Sequence, residues 1–185
     1  ETLMREHPDA VSNTGGLYYR AASEDLRKRL IGIFQTTGEI DKAIIEYRKA
    51  ITVYEELTNE YPNEPAYLAY VAELHVRLAT QHQSVGELDK AIDECRKTIA
   101  IYEQLTKGHP ENTSYRTSLA KSYSSLGFYL EQINKPAEAI TEYRKNINIY
   151  ESLALEHPEV ADHSYFLAWW QLQLEQTYEK IGEAE

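Results

Sequence analysis

One distance organises this sequence: 48 residues. The segment GEIDKAIIEYRKAITVYEELTNEYP, Gly38 to Pro62, returns as GELDKAIDECRKTIAIYEQLTKGHP from Gly86 to Pro110, with 15 of its 25 positions identical at a shift of 48. It returns again as NKPAEAITEYRKNINIYESLALEHP from Asn134 to Pro158, and a further start, GEAE, stands at Gly182. A chain of fixed period stacks one structural unit on the next, because no unit buries its apolar side alone. The fold is therefore decided by what a single unit does.

Each unit reads as two helices. In the copy from Gly86, apolar residues fall at Leu88, Ala91, Ile92, Cys95, Ile99, Tyr102 and Leu105. Steps of three and four gather these on one helix face and leave Lys90, Glu94 and Lys97 on the other. The sister copies repeat the face as Ile40, Ala43, Ile44, Tyr47, Ile51, Tyr54 and Leu57, and as Ala139, Ile140, Tyr143, Ile147, Tyr150 and Leu153. A second helix precedes each glycine. Its apolar residues are Tyr67, Val71, Ala72, Leu78 and Val85; then Tyr115, Leu119, Ala120, Tyr123, Leu126 and Ile133; then Leu167, Ala168, Leu174, Tyr178 and Ile181.

The punctuation agrees with two helices per unit. Gly38, Gly86 and Gly182 fall where a left-handed residue closes the first helix, and Asn134 takes that place once. Pro136 follows in the first turn of the next helix, where its missing N–H is harmless. Glu39, Asp41, Glu87 and Asp89 put negative charge at helix N-termini, as the macrodipole favours. Pro62, Pro110 and Pro158 end the second helix of each unit. The step from Pro8 to Gly38 is 30 residues instead of the later 24, so Asp9 to Gly16 is expected to form a looser connection.

Composition narrows the functional classes. With 19 Lys and Arg against 30 Asp and Glu, the formal charge is −11, which argues against a nucleic-acid module. The single cysteine, Cys95, forms no internal disulfide, and a reducing, cytoplasmic setting is expected. No apolar run is long enough to span a membrane, and no signal peptide opens the chain.

At this point the sequence resembles the tetratricopeptide repeat (TPR) family. The third unit carries the likeness best, through the large–small–large spacing of Tyr123, Leu126, Gly127, Leu130, Ala139, Tyr143 and Ile147. The resemblance implies an all-α fold: a right-handed superhelical solenoid of antiparallel helix pairs over residues 1–185. The expected units are 9–62, 63–110 and 111–158. Residues 1–8 would end a preceding repeat and 159–185 form a final helix and the start of the next. The departure is length, because the family unit is about 34 residues. The 14 extra residues amount to roughly four turns, which extend both helices. Glu1 to Pro8, ETLMREHP, is similar to ESLALEHP at 151–158, so the chain is expected to be a piece of a longer array.

No catalytic set emerges from the residues. His109 and His157 precede a helix-ending proline, as His7 does, and fit a helix C-terminus. His75 and His82 are seven apart, wrong for an i, i+4 metal pair, and read as packed amphipathic residues. Cys95 shares its position with Tyr47 and Tyr143 and reads as a buried structural thiol. The repeated basic pairs Arg48–Lys49, Arg96–Lys97 and Arg144–Lys145 are expected to ion-pair between repeats, with Asp93–Lys97 an i, i+4 pair. Neither phosphate-cradling glycine motif is present, and no cofactor or metal is expected.

The resemblance also implies a concave groove lined by the first helix of each unit. The family's groove-facing spacing falls on Lys28 and Gln35, then Val76, Arg77 and Thr80, then Lys121, Ser124 and Phe128, then Trp169. Asp25, Gly32, Glu73, Gln83, Glu131, Leu172 and Gln176 complete the row. Some members clamp a C-terminal carboxylate with Lys and Asn. Lys28 and Lys121 match two clamp positions, but Gly32, Arg77 and Ser125 stand where the clamp has Asn, Asn and Arg. The expected activity is a protein–protein interaction scaffold that binds a peptide or partner segment in this groove, without catalysis, nucleic acid or membrane. The alternative is a non-catalytic regulatory or spacer segment of a larger enzyme, such as the kinases or caspase-like proteases that accompany long-helix arrays. Weak self-association is expected through an open apolar face of the last helix, formed by Trp170, Leu174, Tyr178 and Ile181.

Overall fold

A computed structural model describes residues 16–182, with side chains from Leu26 to Lys180. Every regular element among the described residues is an α-helix: α1 (Gly16–Thr36), α2 (Ile40–Glu60), α3 (Pro65–Ser84), α4 (Leu88–Gly108), α5 (Thr113–Gln132), α6 (Pro136–Glu156) and α7 (Ala161–Gly182). The connection expected at Asp9 to Gly16 lies outside the described residues except for Gly16, which begins α1. The partial repeat at Glu1 to Pro8 and the chain end after Gly182 lie outside them too.

The chain divides into two compact units, Glu1–Thr52 and Val53–Glu185. In the first, Ile31 of α1 is buried together with Ala43, Ile44, Tyr47 and Ile51 of α2. Arg27 reaches Glu46 across this pair at 3.5 Å. In the second unit each helix from α3 to α7 packs on the next in sequence. The core there is the stripe read from the repeat. Ala91, Ile92, Cys95, Ile99, Tyr102 and Leu105 are buried on α4, and Ala139, Ile140, Tyr143, Ile147, Tyr150 and Leu153 on α6. A fully buried leucine such as Leu153 contributes about 1.5–3 kcal/mol over an exposed one.

The turns follow the punctuation. Gly38 and Gly86 take φ of +76° and +78°, and Asn134 takes +58° in the same role. Asn is the residue with a β-carbon that best tolerates this region, because its short amide bonds locally. Pro136 opens α6 and Pro65 opens α3. At α5 the cap is a side chain: Asn112 Oδ1 accepts from the Tyr115 N–H at 3.2 Å. Gly127 has a different reason to be glycine. A β-carbon there would stand 2.5 Å from Cε1 of Tyr143, so the absence of a side chain lets the α6 tyrosine lie against the α5 backbone.

Several expectations require correction. Val85 was placed on a buried face but is 43% exposed, and Ala168 is exposed. Val85 caps α3, and the chain has already left the helical path there. Tyr178 is held outward by Arg144, whose guanidinium bonds its hydroxyl. The open face of α7 also differs from the one expected. Trp170 stacks on Tyr143 with centroids 5.5 Å apart, and Leu174 packs on the same core. The side chains left open are Tyr165, Trp169 and Leu172, together with Tyr178 of the expected face. The basic pairs do not form an inter-repeat ladder. Lys49, Lys97 and Lys145 each bond the glutamate three residues earlier, Glu46, Glu94 and Glu142, at 2.7, 2.8 and 3.0 Å. Asp93 pairs with Arg96 and not Lys97. The i, i+3 partner is nearer than any on the next repeat, so it wins.

Candidate functional site

A cavity of about 320 Å³ opens between the first helices of two consecutive pairs, α3 and α5. From α3 come Glu73, Val76, Ala79 and Thr80; from α5 come Ser118, Lys121, Ser122, Ser125 and Tyr129. Its floor is the second helix α4, which supplies Cys95, Thr98 and Tyr102. The walls thus stand at helical steps on α3 and α5. At this floor Cys95 stands where the next repeat has the larger Tyr143.

Hydroxyl groups dominate the polar lining. Thr98, Ser122 and Ser125 donate to backbone carbonyls of their own helices at 3.0, 2.7 and 3.0 Å. These bonds satisfy the protons inside the wall and leave oxygen lone pairs toward the space. Tyr129 donates to Gln83 at 3.3 Å and so braces α5 against α3. Lys121 is exposed and makes no ion pair among the described residues, whereas Glu73 is engaged by Arg77 on its own helix. One unpaired ammonium therefore faces a hydroxyl-rich recess with an apolar shoulder at Val76.

The groove residues expected from the sequence divide as follows. Val76, Thr80 and Lys121 line this one cavity. Arg77 is exposed beside it, paired to Glu73. Ser124 is buried, its hydroxyl donated to the Lys121 carbonyl at 2.8 Å, so it offers nothing to a ligand. Phe128 and Trp169 are each 47% exposed and lie outside the cavity lining. Lys28 and Gln35 belong to the N-terminal unit, where Gln35 bonds the Tyr47 hydroxyl at 3.4 Å. Sequence reasoning missed the floor and the serines. Tyr102 and Cys95 were assigned to the core, and they serve both surfaces; the runs Ser118, Ser122 and Ser125 at helical spacing were the available signal.

The carboxylates do not all lie on solvated faces. Glu94 is buried, and His75 Nδ1 meets its Oε2 at 2.6 Å across the α3–α4 seam, one residue away from the cavity-lining Val76 and Cys95. Burial pushes the Glu94 carboxyl up, but the hydrogen bonds from His75 and Lys97 outweigh it and hold the group below the usual carboxylate range. The repeat shift places Arg27, His75 and Tyr123 in register, opposite Glu46, Glu94 and Glu142. The first two positions pair across their seam as a permanent cation and an imidazole, whereas the Tyr123 hydroxyl turns to Glu103 of α4. His82, also buried, meets Glu87 at 2.6 Å.

Burial, with the nearby Glu94 charge, pushes the Cys95 thiol up to about 12, so it stays protonated. Among the described residues no group of three or more His, Cys, Asp or Glu side chains is placed to hold a metal ion. No described helix is long and apolar enough to cross a membrane.

No family profile matches this sequence, and no curated protein does. Solved structures do. BtubC (BKLC) from P. vanneervenii superposes with a TM-score of 0.54 at 16% identity, over 94% of this chain and 69% of that one. Two structures of MamA align at 23% and 22% identity over 80% and 87% of this chain, covering 95% and 94% of theirs. Their TM-scores, 0.33 each, are too low to argue from. The likeness to BtubC shows the fold alone.

Proposed function

We propose that this TPR-like helical-repeat array is a non-catalytic protein–protein interaction scaffold whose recess between α3 and α5 receives a segment of a partner protein. The observation that carries the reading is the unpaired Lys121 ammonium beside a built, hydroxyl-lined cavity of about 320 Å³. A cavity of that size is at the small end for ligand pockets and is large enough to receive a side chain of a partner segment. The complementary group is a carboxylate on Lys121, with a neighbouring small or apolar side chain against Val76 and Ala79. Phe128 on α5 and Trp169 and Leu172 on α7, all about half-exposed, are assigned as further apolar contacts for the partner. Aromatic and cationic side chains of this kind dominate binding energy at interfaces. Lys28 and Gln35 are assigned to the same role in the first unit. The excess of acidic residues favours a protein partner over nucleic acid, and an inert single thiol suits the cytoplasm.

Panning a random peptide display library against the chain tests this. The expected harvest carries an acidic residue followed within a few positions by an aliphatic or aromatic one. Lys121→Glu weakens these peptides at least tenfold, and Thr80→Trp, which fills the recess, does the same without changing charge. Peptides that bind both variants as they bind the parent chain would sink the assignment. Weak self-association is proposed through Tyr165, Trp169 and Leu172. A monomer at high concentration in sedimentation equilibrium counts against it.

A further inference from the structure

Along the first helices of the units, charge changes sign at one place. At the 48-residue shift Asp25, Glu73, Lys121 and Trp169 share a register, and four residues after each stand Arg29, Arg77, Ser125 and Gln173. A carboxylate followed one turn later by arginine thus occurs in the first two units and gives way to lysine followed by serine. The recess between α3 and α5 is where the change falls. Glu73 stands in one wall and Lys121 in the other, and among the described residues they are the only charged members of its lining. We infer that Arg77 is a specificity-determining residue of this recess: by holding the Glu73 carboxylate it keeps the Lys121 ammonium open to an acidic side chain of the partner. The inference rests on the recess being the binding site.

Without Arg77 the recess would neutralise itself. Glutamate and lysine side chains are together long enough to span a space of about 320 Å³, and opposite charges attract over such separations even through water. Arg77 lies one turn along α3 from Glu73, in the i, i+4 order with the carboxylate on the N-terminal side, and its Nη2 donates to Glu73 Oε1. A carboxylate held along its own helix does not also reach across to α5. The pair is about half exposed, so it adds little to stability. Its effect is on charge: with Arg77 the mouth carries two cations and one anion, and without it one of each.

Glu73 is still felt inside the recess. Burial pushes the Tyr102 phenol up, a bond with Ser118 lowers it, and the Glu73 charge adds to the rise. Tyr102 lies on the floor, so an uncompensated Glu73 acts on whatever enters and repels a carboxylate. If Arg77 were instead a direct contact to the partner, its removal would weaken acidic segments whether or not Glu73 were present. Removing both residues separates the two roles.

Two measurements test this, and the first needs no ligand. A water-soluble carbodiimide joins a carboxylate to an amine where the two meet: it activates the carboxyl, the lysine nitrogen displaces it as a urea, and an amide bond forms. Mass spectrometry of the digested chain gives the yield of the Glu73–Lys121 amide. Arg77→Gln is expected to raise it at least threefold. Arg77→Lys, which restores a cation one turn from Glu73, returns it to the parent level. Equal yields in the parent and Arg77→Gln overturn the inference. The second measurement repeats the display-library panning. Enrichment of acidic residues falls roughly two- to fivefold with Arg77→Gln, the size of an exposed ion-pair effect, and recovers when Glu73→Gln is added. A loss that persists in the double variant makes Arg77 a direct contact and overturns the inference. A parent harvest without acidic residues refutes the recess reading instead, and the cross-link yield then still decides whether Arg77 holds Glu73. Circular dichroism at pH 7 checks that each variant is helical, as expected for substitutions at two half-exposed side chains.

Discussion

Replacing Gly127 with alanine sets two known effects against each other, and the structure says which wins. Alanine in a helix interior is favoured over glycine by about 1 kcal/mol. Against this, the new β-carbon would lie 2.5, 2.8 and 3.0 Å from three ring atoms of Tyr143. Contacts that close force something to move. The ring has no free direction: it is buried, stacked on Trp170 at 5.5 Å, and tied through its hydroxyl to Glu131 at 2.9 Å. Overpacking of a fixed core group costs about 1–3 kcal/mol, and the constrained ring places this site at the upper end. The net loss is about 1–2 kcal/mol, roughly a tenfold fall in the folded-to-unfolded ratio. Urea unfolding followed by circular dichroism measures it. Gly32→Ala is the matched control, since nothing lies within 4 Å of its β-position, and it should stabilise by up to about 1 kcal/mol. The previous repeat carries Ala79 and Cys95 in the register of Gly127 and Tyr143. Gly127→Ala should therefore be harmless once Tyr143→Cys is present. A Gly127→Ala chain as stable as the parent, or a penalty that persists with Tyr143→Cys, refutes the reasoning.

Three further outcomes are expected. His75→Ala strips a partner from the buried Glu94 and costs about 2–3 kcal/mol, below the full penalty for a broken buried pair because Lys97 remains; His75→Arg, the residue of the first unit, recovers part of it in urea titrations. Arg116 holds the Glu156 carboxyl at about 2, well below its ordinary value, with Ser152 assisting. A depressed carboxyl stabilises the fold above its unfolded pKa and loses that contribution as pH falls toward 2, so Arg116→Gln should lower stability at pH 7, leave it unchanged near pH 2, and thereby flatten the acid limb of the stability curve between about pH 4.5 and 2. Cys95, buried and with its thiol pushed up to about 12, should label with a thiol reagent at pH 8 only as fast as the chain opens; prompt labelling of native protein would contradict its placement.

Local signals in the sequence were read well and remote ones poorly. Gly86 and Asn134 announce left-handed backbone because few residues adopt it, and the α4 and α6 stripes follow from helical period alone. The His75–Glu94 bond joins residues 19 apart on different helices, and only the interhelical register decides whether they meet. The lysines of the repeated basic pairs show the opposite error. A longer-range partner was expected where the glutamate one turn back was closer. On α7 the apolar residues outnumber one face, so period alone does not choose between Trp169 and Trp170; the stack of Trp170 on Tyr143 does. The candidate recess was half legible. Lys121, Val76 and Thr80 came from a family spacing, whereas the floor at Cys95, Thr98 and Tyr102 is supplied by α4, and only the packing of α4 against α3 and α5 opens those residues to the recess.

The ion pairs of Glu46 with Lys49, Glu94 with Lys97 and Glu142 with Lys145 have a consequence for insertion and deletion. Because each hairpin neutralises these charges within one turn of itself, inserting or removing one 48-residue unit would leave these three pairs intact. The contacts such a change would have to rebuild are the ones that cross the boundary, Lys180 with Glu131 and Arg144 with Tyr178.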